Sequence, residues 1–257
     1  MLPVVSCVGN ITKEFSLLEV YSKSDIGLVR QENQDSTKYK IISPSCAWAI
    51  VCDGMGGAKA GALASEIASK SIYEYLDKYF SENTQEKDIM AILSTAVEEA
   101  NTKIYKLSGK KEYEGLGTTC EVVIVRNDRA YCCHVGDSRI YSIRGGKIMQ
   151  VSIDHSVVQE MVNKGEITPE QAKNHPNKNY ITRALGINKN VRIDFIEVEF
   201  KYGDIILMCS DGLSNNVNSS DIVKILHENR GEDITDKLVE LANKNGGSDN
   251  ITVTVIY

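Results

Sequence analysis

The sequence predicts an α+β fold built on mainly antiparallel sheets. Short apolar or alternating runs recur along the chain and are separated by hairpin-turn residues, while helical periodicity is confined to separate blocks and does not alternate with the strands. With 257 residues and 42% hydrophobic content the chain can fill one enzyme-sized core. No repeat, linker or low-complexity segment divides it, so residues 18–257 are expected to form a single domain behind an N-terminal extension at 1–17.

The first strand signal is LEVYSKSD at 18–25. STKYKIIS follows a polar loop, and CAWAIVC is apolar throughout, which predicts a strand buried on both faces. From Ala60 the spacing changes. Ala60, Ala64, Ile67, Ala68, Ile72, Leu76 and then Ile89, Leu93, Ala96, Ala100, Ile104 fall at helical intervals, predicting two long amphipathic helices. TTCEVVIVR, RAYCCHVG, SRIYSIR and KIMQVS then predict an antiparallel meander, with Asn127-Asp128 and Gly145-Gly146 suited to its turns. Residues 156–180 open with a short helix around Val157–Val162 and continue as GEITPEQAKNHPNKN, too polar for a core and read as a surface flap. VRIDFIEVEF alternates with period two, DIILMCS is a buried strand, helices occupy about 219–229 and 232–244, and ITVTVIY is a strand.

A formal charge of -6 leaves no basic footprint for nucleic acid or an anionic membrane. No run approaches the ~18 apolar residues of a membrane span, and MLPVVSCVGN lacks the charged and apolar regions of a signal peptide. The seven cysteines contain no Cys-x-x-Cys pair and mostly sit in apolar runs, as small buried hydrophobes of a reducing, cytoplasmic protein do. A monomer is expected.

The chemistry is in the acids. Asp53 ends CAWAIVC, Asp137 ends AYCCHVG, Asp211 ends DIILMCS, Asp249 begins ITVTVIY and Asp35 begins STKYK, each beside Gly, Ser or Asn. A lone acid at a strand end is a turn former or a helix cap. Five of them, brought to one edge by alternating strand directions, would repel unless divalent cations cancelled the charge, and Mg²⁺ or Mn²⁺ prefers such oxygens. The histidines at 134, 155, 175 and 227 are scattered and show no zinc spacing. Arg30, five residues before Asp35, can carry a guanidinium to the same edge, where its planar fork suits a phosphate.

With these residues in place the chain resembles the metal-dependent protein phosphatases of the PPM, or type 2C, family, in their compact bacterial form. SDIGLVRQENQD, VCDGMGGAKAG, GLGTTC, HVGDSRIY, DHSVVQEMVNKGEITPEQAKNHPNKNYITRALG, GDIILMCSDGLSNN and GGSDNITVTVIY occur in the family's order over residues 20–257. The resemblance implies a four-layer αββα sandwich, two mainly antiparallel sheets flanked by antiparallel helix pairs, with two Mn²⁺ or Mg²⁺ ions at one edge. By that comparison Asp53 bridges the ions, the Gly54 carbonyl binds one, Asp211 and Asp249 bind the other, Asp35 holds waters on the metals, Asp137 with Asp211 matches a weaker third site, and Arg30 binds the substrate phosphate. Phosphoserine and phosphothreonine in proteins would be hydrolysed by direct attack of a metal-bridging hydroxide, in opposition to a Ser/Thr kinase. Met55 departs from the many eukaryotic members that carry a histidine there, so the proton donor is expected instead at the third ion on Asp137.

Three rivals are weaker. Cys133 and Arg139 match the Cys-x5-Arg spacing of cysteine phosphatases, but Asp137 would sit inside the phosphate cradle and a strand follows it. A binding module without chemistry would be expected to lack one of Asp53, Asp211, Asp249 or Arg30. Another two-metal hydrolase, such as a nuclease, would want a basic stretch.

Overall fold

The computed structural model describes residues 17–56, 60–113 and 115–257. The expected extension, apart from Leu17, lies outside the described residues. Two sheets face each other. One holds, in spatial order, β1 (Val20–Asp25), β11 (Ile251–Ile256), β10 (Ile205–Cys209), β7 (Arg139–Arg144) and β8 (Lys147–Gln150). The other holds β2 (Asp35–Ser43), β3 (Cys46–Met55), β5 (Cys120–Arg126), β6 (Arg129–Val135) and β9 (Asp194–Glu199), with β4 (Gly117–Thr118) pairing the end of β3. Every one of these strand pairings is antiparallel.

Period-two geometry explains why CAWAIVC is apolar throughout. Ala47, Ala49 and Val51 point between the sheets, against Val123, Ile206 and Met208, whereas Trp48, Ile50 and Cys52 point outward beneath the helices α1 (Ala60–Tyr79) and α2 (Glu86–Ser108). Trp48 is fully buried and meets Tyr73 of α1 edge-on at 5.0 Å, so Trp48→Ala is expected to cost about 3–5 kcal/mol. On the opposite side Ile222 and Leu226 of α6 (Ser219–Glu228) and Ile234, Leu238 and Ala242 of α7 (Glu232–Lys244) cover Leu207, Val253 and Val255 of the first sheet. Three apolar layers between four structural layers make the predicted αββα sandwich.

The predicted meander is corrected in one respect. The chain pairs β5 with β6 in one sheet, then crosses at Gly136–Ser138 and pairs β7 with β8 in the other. Strand spacing alone cannot distinguish a hairpin from a change of sheet. The flap contains α3 (Val157–Asn163), capped by the Ser156 hydroxyl accepting from the Gln159 N–H, and a helix that the polarity of GEITPEQAKNHPNKN conceals, α4 (Pro169–Lys173). Thr168 and Gln171 close a reciprocal capping box with Pro169 in the first helical position. Cys46, Cys52, Cys120, Cys132, Cys133 and Cys209 are free and buried, while Cys7 lies outside the described residues. Among the described residues no helix is long and apolar enough to cross a membrane.

Candidate active site

The second sheet's edge begins with Asp35, the first residue of β2, which is in register with Asp53 on β3. Asp53 is locked through its backbone. Its N–H donates to the Thr119 hydroxyl at 2.9 Å, and its carbonyl accepts the Thr119 N–H at 2.8 Å and the Thr118 hydroxyl at 2.9 Å. Gly54 is buried next to it, pairs with Thr118 and donates its N–H to the Gln34 carbonyl at 3.0 Å. Asp137 lies in the sheet-crossing turn. There Gly136 has a φ of +122°, and a Cβ would come within 2.5 Å of Thr119, so only glycine fits.

The first sheet supplies the remaining acids. Asp211 is the first residue of a one-turn helix, α5 (Asp211–Ser214), and does not simply end β10. Gly212 lets this turn rest on the Asn250 carbonyl, which a Cβ would meet at 1.9 Å. Asp249 precedes β11, accepting its neighbour Asn250's N–H on Oδ1 at 2.8 Å and an Arg30 N–H on Oδ2 at 2.7 Å.

The acids feel one another. Burial first, then Asp35, Asp211, Asp137 and Asp249, hold the Asp53 carboxyl well above its usual range. Burial and the facing acids likewise push Asp35 up to about 7, Asp137 to about 8 and Asp211 to about 6. The field of the Arg30 guanidinium reaches Asp249, Asp211 and Asp53, and that of Arg139 reaches Asp137 and Asp211. The structure thus brings together all seven residues singled out from the sequence: Arg30, Asp35, Asp53, Gly54, Asp137, Asp211 and Asp249.

These residues fit divalent cations. Asp35 Oδ1 is buried with no hydrogen-bond partner, and the carboxyls of Asp35, Asp53, Asp137 and Asp211 are all held above their usual range by burial and by one another. Among the described residues no three His, Cys, Asp or Glu side chains are grouped closely enough to hold a metal ion by themselves; hard ions also take water and carbonyl oxygens.

From Asp137 and Asp211 a cavity of about 690 Å³ runs beneath the flap, past Val158, Val162 and Lys178 on one side and Asn216 and Val217 on the other. Cys133 does not face it as a nucleophile. It is buried on β6 with its thiol pushed far up, and Arg139 is held by Asp154 at 2.6 Å, which removes the Cys-x5-Arg reading.

The protein phosphatase 2C family model matches residues 29–251. The chain belongs to this family. It is 36% identical over 241 residues to protein phosphatase PhpP of Streptococcus pneumoniae, covering 93% of this chain and 97% of that one. The structure of the S. agalactiae serine/threonine phosphatase superposes with a TM-score of 0.87 at 36% identity, over 93% of this chain and 99% of that one. The catalytic domain of the phosphatase PstP, solved with two manganese ions, superposes with a TM-score of 0.81 at 34% identity, over 93% of this chain and 97% of that one.

Several groups in this protein phosphatase 2C site escaped the sequence reading. Ser210 donates its hydroxyl to Asp35 Oδ2 at 2.8 Å and accepts the Thr252 N–H at 2.9 Å, tying the two sheets together under the acids. The Asn250 amide donates to the Ile26 and Glu32 carbonyls at 2.9 and 3.0 Å and accepts the Gln34 N–H at 2.9 Å, holding the loop that carries Arg30. Ser138 and Thr119 share a hydroxyl contact of 2.9 Å that links the Asp137 turn to Asp53. The histidines that look scattered also partly converge, with the His134 and His155 rings 4.4 Å apart. They are no zinc site, because His134 engages Glu121 and the Ile153 carbonyl through its two nitrogens.

Proposed function

We propose that this member of the protein phosphatase 2C family hydrolyses phosphoserine and phosphothreonine in proteins with the help of two Mn²⁺ or Mg²⁺ ions, and that it acts in the cytoplasm against a Ser/Thr kinase. The observation that carries this reading is the convergence of five carboxylates from both sheets at one edge, where, among the described residues, Arg30 is ion-paired with Asp249 alone. Residues 18–257 act as one catalytic domain, in a monomer.

In this reading Asp53 and the Gly54 carbonyl would hold one ion, Asp53 with Asp211 and Asp249 would hold the other, and Asp35 would accept hydrogen bonds from waters around them. When bound, the ions acidify an attacking water and neutralise the phosphoryl oxygens. Arg30 exchanges Asp249 for two phosphate oxygens, which its fork matches in geometry and charge. The cavity under the flap seats the protein segment that carries the phosphate, excluding water from the scissile bond. Met55 has no proton to give the departing seryl or threonyl oxygen, so this reading assigns proton delivery to the Asp137 position, where Asp137 and Asp211 would hold a third, weaker ion.

The deciding experiment is hydrolysis of a phosphothreonine peptide with Mn²⁺, with chelator, and by an Asp211→Asn variant. Turnover is expected to require Mn²⁺ and to be lost in the variant. Activity surviving both treatments would refute the reading.

A further inference from the structure

Behind Asp137 lies a buried polar cluster that takes no part in holding phosphate. Glu121 on β5 and His134 on β6 are fully buried and meet at 2.8 and 3.0 Å through Nδ1, while Nε2 donates to the Ile153 carbonyl at 2.8 Å. His155, its ring tilted by 36° against that of His134, is connected differently. Its backbone N–H donates to the Gly136 carbonyl at 2.7 Å, and its ring Nδ1 accepts the Gly136 N–H at 3.1 Å. Both main-chain groups of the residue before Asp137 are therefore held by one side chain and its own backbone. With Nδ1 accepting, the ring proton is assigned to Nε2, which faces Asp194 Oδ2 at 3.1 Å; Arg183 Nη1 lies 3.0 Å from the same nitrogen and donates to Asp194 Oδ1 at 2.7 Å. The His155 carbonyl accepts the Thr182 N–H at 2.7 Å, and Ser156 bridges Ile181, so the same residue joins the two roots of the flap.

We infer that His155 is a positioning residue for Asp137: its clamp on Gly136 fixes the direction of the Asp137 carboxylate and sets the flap over it. Gly136 needs such a clamp because its left-handed backbone is open only to glycine, the residue with most conformational freedom to lose. A histidine that merely fills the core would have no need of the Nδ1 acceptor. That difference separates the two roles chemically. In His155→Asn the amide oxygen stands as many bonds from Cα as Nδ1 does and can accept the Gly136 N–H. In His155→Gln the polar group lies one bond farther out, toward Asp194, and the clamp is lost.

The inference rests on the assignment of a cation to Asp137, and its test uses the full chain with Mn²⁺ titrated calorimetrically beside turnover of a phosphothreonine peptide and of p-nitrophenyl phosphate. His155→Ala and His155→Gln are expected to weaken the weakest Mn²⁺ binding event by about 10–100-fold, as loss of a group that orients a ligand does, and to leave the tighter events unmoved. Peptide turnover should fall by a similar factor, and aryl phosphate turnover, whose leaving group needs no proton, by less than about threefold. Asp137→Ala should show the same split. His155→Asn should restore both binding and turnover. An unfolded His155→Asn, one as impaired as His155→Ala, equal losses on both substrates, or an unchanged weak event would overturn the inference while leaving the phosphatase reading intact. Wild-type protein with no Mn²⁺-dependent turnover would instead overturn that reading and this inference together.

Discussion

Glu121 and Asp35 are both buried carboxyls pushed up to about 7, yet their surroundings are opposite. Glu121 faces His134, whose imidazole is raised to about 9 by that carboxylate and by the Ile153 carbonyl against the opposing effect of burial. Asp35 faces Asp211 and Asp249, is relieved only by the Thr252 and Ser210 hydroxyls, keeps one oxygen without a partner, and among the described residues makes no ion pair. The first arrangement is complete, with each charge and each hydrogen-bonding nitrogen matched inside the protein. The second is complete only with something from outside. Burial alone therefore does not mark a functional acid; what marks it is a shortage of internal positive charge.

The strongest way to break this distinction is to remove one acid from each region. Asp53→Asn should cut phosphopeptide turnover by at least about a thousandfold and raise the melting temperature of the chelated protein, because a repulsive charge is gone. A drop in both would place Asp53 with the structural acids. Glu121→Leu should do the reverse, costing about 3–5 kcal/mol in denaturant unfolding by leaving His134 buried alone, while the folded fraction keeps turnover of the same order. A smaller effect comes from pH. The folded-state values of Asp35, Asp137 and Asp211 lie above the usual carboxylate value, so the stability they contribute is full below about 4 and is lost as pH rises through about 6 to 8. In chelator the melting temperature should accordingly fall between pH 5 and pH 8. Mn²⁺ at a hundred times its Kd should return about 2.7 kcal/mol at the upper end and less at the lower, where protons compete for the acids. Parallel curves with and without Mn²⁺ would show that the acids do not meet the ion.

Much of this was legible in the sequence because period and position carry it. CAWAIVC reports burial on both faces, and the acids announce themselves by standing at strand ends beside glycine and serine. What stayed hidden depends on contacts between distant segments. Thr119 meets Asp53, Ser210 meets Asp35 and Asn250 meets the loop before Asp35, but hydroxyls and amides are too common for their spacing to say so. His134 and His155 converge only because the Gly136–Ser138 crossing folds one segment back on the other. The helix α4 was a different kind of miss. Thr168, Pro169 and Gln171 spell a capping box in the sequence, and the polarity of the surrounding flap obscured it.

The strand β11 lies between β1 and β10, pairing Val20 with Ile256 and Cys209 with Val253. Pairings between residues so far apart in the chain form late and slowly. A nascent chain can therefore assemble the helices α1 and α2 and most of the second sheet long before Asp249 and Asn250 have been synthesised. Without that central strand in its slot the polypeptide lacks Asp249 and the amide that seats the loop carrying Arg30, so assembly of the proposed site is expected to wait on this one long-range pairing.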